Sequence, residues 1–266
     1  MSVKGEHVQF YSDHLREDFD YNVYGQGKIP IIAFPTHGGR YYDFENFGMV
    51  GSIQTLIEDG LITLFTVDSR DKQSWWDEDK TPEERAKRHI EYEYCIVKEV
   101  IPQIRKTCSL DEQAPIIVVG VNWGAYHASN LYFKYPEIFS DAICLSGQYS
   151  LNALIGEYWN LDIYYNDPLR FLPNLEDPEI LSKLDANNLV LCVGQGKWEN
   201  RYLFSARQLS HVLDKKGIPY HLDIWGYDVS HDWVWWRKQL PHLLGNLGLE
   251  VRLQQLLTSG LVITDE

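Results

Sequence analysis

The chain has 266 residues, is 44% hydrophobic and 23% charged, and carries a formal net charge of −14. A chain of that length buries roughly three quarters of its unfolded surface, so no disulfide or metal staple is required. The acidity argues against nucleic acid or an anionic membrane as partner, because both need a basic surface. The first thirty residues hold no long apolar run, and no stretch approaches the roughly eighteen consecutive apolar residues of a membrane span. Cys95, Cys108, Cys144 and Cys192 are widely spaced with no C-x-x-C pair. They read as reduced core thiols in a cytoplasmic protein, with no metal site and no cofactor expected.

No internal repeat or low-complexity segment interrupts the chain. Residues 7–12 and 19–24 read as an antiparallel hairpin closed off by Gly25-Gln26-Gly27. Residues 29–34 form an apolar strand, 49–58 a helix that stops at Gly60, and 62–67 another strand before the polar loop 68–80. Thr81-Pro82-Glu83-Glu84 is a helix start, with Thr81 able to cap, Pro82 suited to the first helical position and Glu84 completing a capping box. That helix is expected to run to about residue 106.

The β-branched run 115–120 reads as a buried strand, 124–134 as a helix ending before Pro136, and 142–145 as a short strand. Residues 150–184 look irregular, with short helical pieces. A strand at 189–193, a helix at 201–216, a last strand at 221–225 and a helix at 233–247 complete the pattern. This alternation of strand and helix predicts a single domain over residues 1–266, with a mainly parallel sheet flanked by helices. Two antiparallel strands followed by six with crossovers make eight, the count and order of the α/β-hydrolase fold. Its functional loops gather at the strand carboxyl ends.

One turn stands out at that edge. Gly120-Val121-Asn122-Trp123-Gly124 lies between a predicted strand and a predicted helix, the context of the G-x-S-x-G nucleophile elbow. Its glycines give room to a central residue in a strained turn. The fold places an acid after the seventh strand and a histidine after the eighth. Glu199 is the acid candidate in Gly194-Gln195-Gly196-Lys197-Trp198-Glu199, and His231 is the base candidate, alone among nine histidines in lying in the last-strand loop. Asp228 and Asp232 compete for the acid role. For the oxyanion hole, the turn Pro35-Thr36-His37-Gly38-Gly39-Arg40 offers Gly38 and Gly39, and the N–H of Trp123 is the second donor expected.

The chain resembles the esterase D-like group of α/β-hydrolases, which also includes feruloyl esterases and mycolyltransferases. The likeness covers nearly the whole chain. It rests on residues 34–40, on Gly124-Ala125-Tyr126-His127-Ala128, on Tyr165-Asn166-Asp167-Pro168, on residues 194–199 and on His231-Asp232-Trp233. It implies a serine esterase whose triad is completed by Glu199 and His231. The departure is at Asn122, where that family carries the serine.

An amide is a poor nucleophile and His231 cannot activate it as it would a hydroxyl. Neither Ser129 nor Ser146 sits on the elbow. The sequence therefore reads first as an inactive or very weak esterase homologue that retains a ligand pocket. A hydrolase in which His231 activates water, a non-catalytic binding or regulatory protein, and an Asp-Trp-Gly elbow like that of haloalkane dehalogenases remain alternatives. A deliberate Ser-to-Asn replacement would give the same sequence.

The chain is 14% aromatic with nine tryptophans. His37, Trp75, Trp76, Trp159 and Trp198 are candidate ligand-pocket residues, with Tyr164 and Tyr165 nearby in the chain. Aromatic walls suit a small ester, acyl or sugar-like ligand. Trp233, Trp235, Trp236 and His127 read as structural. Homo-oligomerisation is left open.

Overall fold

The computed structural model describes residues 3–262. Its eight strands are β1 Glu6–Ser12, β2 Glu17–Tyr24, β3 Ile29–Phe34, β4 Ile62–Val67, β5 Ile116–Val121, β6 Phe139–Leu145, β7 Asn188–Val193 and β8 His221–Ile224. They form one sheet in the order β1-β2-β4-β3-β5-β6-β7-β8. β1 pairs antiparallel with β2, and β2 antiparallel with β4; every other pair is parallel. With helices flanking it, this is the α/β-hydrolase fold.

Side-chain alternation along the central strands divides the core between the two sheet faces. Ile32, Phe34, Val118, Ala142, Cys144, Leu189 and Leu191 pack on one side, and Ile31, Ala33, Val119, Val121, Ile143, Leu145 and Val190 on the other. All residues of β3, β4 and β5 are buried, and β3 and β5 are continuous apolar runs, whereas β4 carries the buried threonines Thr63 and Thr66. The four cysteines are buried and free, and burial raises their thiol pKa values, that of Cys108 to about 11.

The long helix begins with the expected capping box: Thr81 N–H donates to Glu84 Oε2 at 2.9 Å, and Glu84 N–H to Thr81 Oγ1 at 3.3 Å. It runs over Pro82–Tyr94, through a π-helical turn at Cys95–Val100, and on to Thr107. The expected helix at 49–58 is broken into Met49–Ser52 and Gln54–Glu58, because Ile53 leaves helical geometry with ψ near 17°. The segment after β6, expected to be irregular with short helical pieces, contains a nine-residue helix, Pro178–Ala186. Asp177 caps it by accepting from Glu179 and Ile180, with Pro178 at its first position. A further helix, Leu249–Thr258, follows Gly248 and buries Leu249 and Leu256 against the sheet. No helix among the described residues is long and apolar enough to cross a membrane.

Chain order reverses between β3 and β5. From β3 the chain passes to β4 on one side, and from β5 to β6 on the other. The loops leaving β3 and β5 therefore diverge and open a crevice at their carboxyl ends, the switch point where such sheets bind ligands. Phe34 pairs with Gly120, Val121 with Leu145, Leu145 with Cys192 and Val193 with Ile224, so the loops leaving these five strands start at one edge.

Candidate active site

Asn122 follows β5 with φ 58° and ψ −114°, immediately before the helix Trp123–Lys134. Positive φ is costly for a residue with a Cβ and persists only where the surroundings enforce it. Here they do: Asn122 N–H donates to Leu145 O at 2.8 Å, and its carbonyl accepts from Ala125 N–H at 3.2 Å. The flanking glycines are required by contact. A Cβ on Gly120 would lie 2.0 Å from the Gly124 carbonyl oxygen, and one on Gly124 would lie 2.3 Å from the carbonyl oxygens of Phe34 and Pro35. The helix can thus start directly against the end of β3.

The loops after β7 and β8 are tied together by backbone bonds that continue the pairing past the strands. Gly196 N–H donates to Val229 O at 2.8 Å and His231 N–H to Lys197 O at 3.0 Å. His231 consequently reaches Asn122, whose Nδ2 lies 2.8 Å from Nε2 of the imidazole. On the far side of the ring, Nδ1 is 3.5 Å from Glu199 Oε2. Both atoms are buried, and neither has a hydrogen-bond partner within normal length among the described residues.

The other carboxylate oxygen, Oε1, accepts from Ser146 Oγ at 2.7 Å, and Ser146 Oγ accepts from Trp236 Nε1 at 3.0 Å. Of the competing acids, Asp232 caps the last long helix by accepting from Val234 N–H at 3.0 Å, and Asp228 is exposed. Ser129 is turned away, its hydroxyl bonded to Tyr126 O at 3.0 Å.

Tyr202 and Trp236, which no sequence motif marks as site residues, belong to this cluster. The Tyr202 ring stacks on His231 with centroids 3.9 Å apart and planes 6° from parallel, and Trp236 meets the same imidazole edge-on at 4.8 Å. The Tyr202 hydroxyl accepts from Asn122 Nδ2 at 2.7 Å and from Arg201 Nη2. Burial pushes its pKa above the ordinary tyrosine value, so it stays a neutral phenol. The only sequence signal for it is spacing: Tyr202 follows Glu199 by three residues, and the helix Asn200–Lys216 begins there, which brings positions three apart to one face.

The turn after β3 does reach Asn122, through a donor one residue earlier than expected. His37 N–H points to Asn122 Oδ1 at 3.3 Å. Gly38 N–H is instead held by Asp71 Oδ2 at 2.9 Å, and Gly39 N–H closes the turn onto Thr36 O at 2.9 Å. Neither glycine N–H is free to meet a ligand. Asp71 is buried and also bonds His127 Nε2 at 2.7 Å, so His127 acts as a buried support for this turn. Trp123 opens the elbow helix, and its N–H is among the first-turn groups without an intrahelical acceptor. Burial lowers the His37 pKa; Asp71 opposes this, while Lys72, His127 and Arg201 reinforce it.

The aromatic candidates separate. Trp75 is fully buried and packs on His89 in the core, which removes it from any ligand surface. Trp76 packs edge-on against His37 at 4.0 Å and near Trp123 at 5.6 Å. Trp198 is 67% exposed and lines an open cleft of about 480 Å³ with Asn200, Arg201, Tyr202 and His231. Trp159 is exposed and is not among those lining residues. Tyr164 and Tyr165 pack against each other at 5.0 Å. Among the described residues, no group of three or more His, Cys, Asp or Glu side chains is disposed to hold a metal ion.

Solved structures share this architecture. A ferulic acid esterase matches with a TM-score of 0.72 at 15% identity, covering 92% of this chain and 98% of its own. An S-formylglutathione hydrolase from Agrobacterium tumefaciens matches with a TM-score of 0.69 at 12% identity, over 92% and 94%. A CE1 ferulic acid esterase from Anaeromyces mucronatus, in complex with ferulic acid, matches with a TM-score of 0.65 at 9% identity, over 88% and 87%. No curated protein matches the chain. The family described as Putative esterase matches residues 12–247, most of the sequence, and the chain belongs to that family.

Proposed function

We propose that the protein is an esterase homologue in which Asn122 holds the nucleophile position, with His231 and Glu199 as the base and acid of a remnant triad. In this reading the chain hydrolyses carboxylic esters weakly or not at all and keeps a pocket for a small ester, acyl or sugar-like ligand. The observation that carries it is the state of the Asn122 amide, which is bonded to His231, to Tyr202 and to the His37 N–H at once.

In hydrolases of this fold the histidine takes a proton from a serine hydroxyl, which then attacks the substrate carbonyl. Asparagine supplies the histidine with a hydrogen-bond donor and nothing to attack with, because its nitrogen lone pair is delocalised into the carbonyl. The His37 and Trp123 N–H groups are the natural oxyanion donors at such an elbow. Asn122 Oδ1 already occupies the first, so the residue removes the nucleophile and also fills the place of the substrate oxygen. Direct activation of water by His231 requires a free Nε2, which Asn122 holds. The structural relative with bound ferulic acid supports a ligand of small aromatic-acid size.

The test is a panel of p-nitrophenyl esters on wild type, Asn122→Ser and His231→Ala. Fast hydrolysis by wild type, slowed by Asn122→Ser, would make asparagine part of a working mechanism. No hydrolysis by any variant would leave a binding or regulatory protein on a hydrolase scaffold.

A further inference from the structure

The charge at the mouth of this site runs against that of the chain. The protein carries 38 acidic and 24 basic residues, yet no acidic residue is among those lining the cleft beside His231. Arg201 lies over the Tyr202 ring, its guanidinium carbon 4.6 Å from the ring centroid, and bonds the Tyr202 hydroxyl through Nη2. Lys197 sits over Trp198, with Nζ 4.1 Å from that ring centroid. Across the site, the Lys72 side chain packs over Gly38. Lys72 and Arg201 are both close enough to act on the His37 imidazole.

Among the described residues, none of these three cations has a carboxylate partner within 4.0 Å. Glu199, next to them in sequence, is buried and turned inward to Ser146. Arg201 has five donor N–H groups, of which the Tyr202 hydroxyl takes one. Stacking on Tyr202 holds the remaining fork in place, and an ordered guanidinium fork matches a carboxylate or phosphate through paired hydrogen bonds.

We infer that the ligand of this site carries an anionic oxygen group, a carboxylate or a phosphate, which Arg201 grips while the ester or acyl carbon lies at residue 122. The inference rests on the esterase reading for the position of that carbon and on the cation cluster for the charge. It makes Arg201 a specificity-determining residue, with Lys197 and Lys72 raising the local concentration of anions.

Binding to wild type is measured by calorimetry and Trp198 fluorescence with monomethyl succinate, inorganic phosphate and neutral dimethyl succinate. At least one anion is expected to bind about tenfold or more tightly than the neutral diester, and whichever anion is preferred identifies the group. Arg201→Gln should erase that preference, and Arg201→Lys should keep part of it, with unchanged melting temperatures. Turnover is then compared in Asn122→Ser using p-nitrophenyl acetate and mono-p-nitrophenyl succinate. Arg201→Gln in that background should lower kcat/KM for the succinate ester about tenfold more than it lowers kcat/KM for the acetate, so the ratio of the two substrates is the readout. Equal binding of charged and neutral esters, or anion binding indifferent to Arg201→Gln, overturns the inference. Failure of Asn122→Ser on the neutral acetate bears on the esterase reading alone.

Discussion

The side-chain nitrogen of Asn122 stands 2.8 Å from Nε2 of His231. Since the amide nitrogen can only donate, Nε2 must accept, and the ring proton resides on Nδ1, which faces Glu199 at 3.5 Å. The imidazole is also clamped between Tyr202 and Trp236. It therefore has the tautomer and orientation that a general base needs, opposite a residue that yields it no proton.

Replacing Asn122 by Ser should put a hydroxyl beside this imidazole, the proposed base, and free the His37 N–H. Nucleophile and base act as a unit, so restoring the missing member recovers rate steeply. Asn122→Ser is expected to hydrolyse p-nitrophenyl acetate at least about 100-fold faster than wild type, well below the roughly 10⁶-fold of a complete triad. The gain should disappear in the Asn122→Ser, His231→Ala double variant.

Ser146 bridges two buried groups, the Glu199 carboxylate and the Trp236 indole N–H. Ser146→Ala leaves a buried carboxylate oxygen and a buried N–H unpaired. Urea unfolding should show a loss of about 2–3 kcal/mol. In the Asn122→Ser background the same change should lower kcat more than it raises KM, because Glu199 is then free to turn from His231.

Gly124→Ala would press a methyl group against two carbonyl oxygens of the β3 turn at 2.3 Å. Relief requires the elbow helix to withdraw from β3, and the expected destabilisation is about 3 kcal/mol or more. The control is Gly51→Ala, in the helix Met49–Ser52, where nothing lies within 4 Å of the added carbon. Denaturant midpoints should fall for the first and hold or rise slightly for the second.

His89 makes stability depend on pH. It is 2% exposed, and burial, reinforced by His127 and Lys134, holds its pKa well below the ordinary 6.5. Below about pH 6.5 the unfolded chain binds a proton that folded His89 refuses, so stability falls as pH drops, by at most about 1.4 kcal/mol per unit. Above that pH the residue contributes no slope. His89→Phe keeps an aromatic ring against Trp75 and Tyr126 and should flatten the urea-unfolding profile between about pH 5 and 6.5.

The eight strands were legible because the central ones are largely apolar, β-branched runs bounded by turn residues, and their succession along the chain followed from the alternation with helices. The elbow could be read for a similar local reason, since Gly120 and Gly124 answer to contacts made within a single strand-to-helix turn. Helix Pro178–Ala186 falls where short helical pieces are expected, but its bounds were not legible, although Asp177-Pro178 marks its start, because its apolar stripe is short. Helix Leu249–Thr258 lies beyond the last helix expected from the sequence, and it is only ten residues long.

By itself the sequence determined the fold, the loops that meet at one sheet edge, and the presence of an amide where this family's resemblance implies a hydroxyl. Those properties are written in periodicity, glycine spacing and residue identity, all of them local. Tertiary structure alone decided that His37 rather than Gly38 or Gly39 meets Asn122, that Ser146 and Trp236 hold Glu199, that Trp75 is core, and that Tyr202 and Arg201 belong to the site. Each depends on which side chains converge from segments tens of residues apart, where a shift of one residue in register exchanges one donor for another.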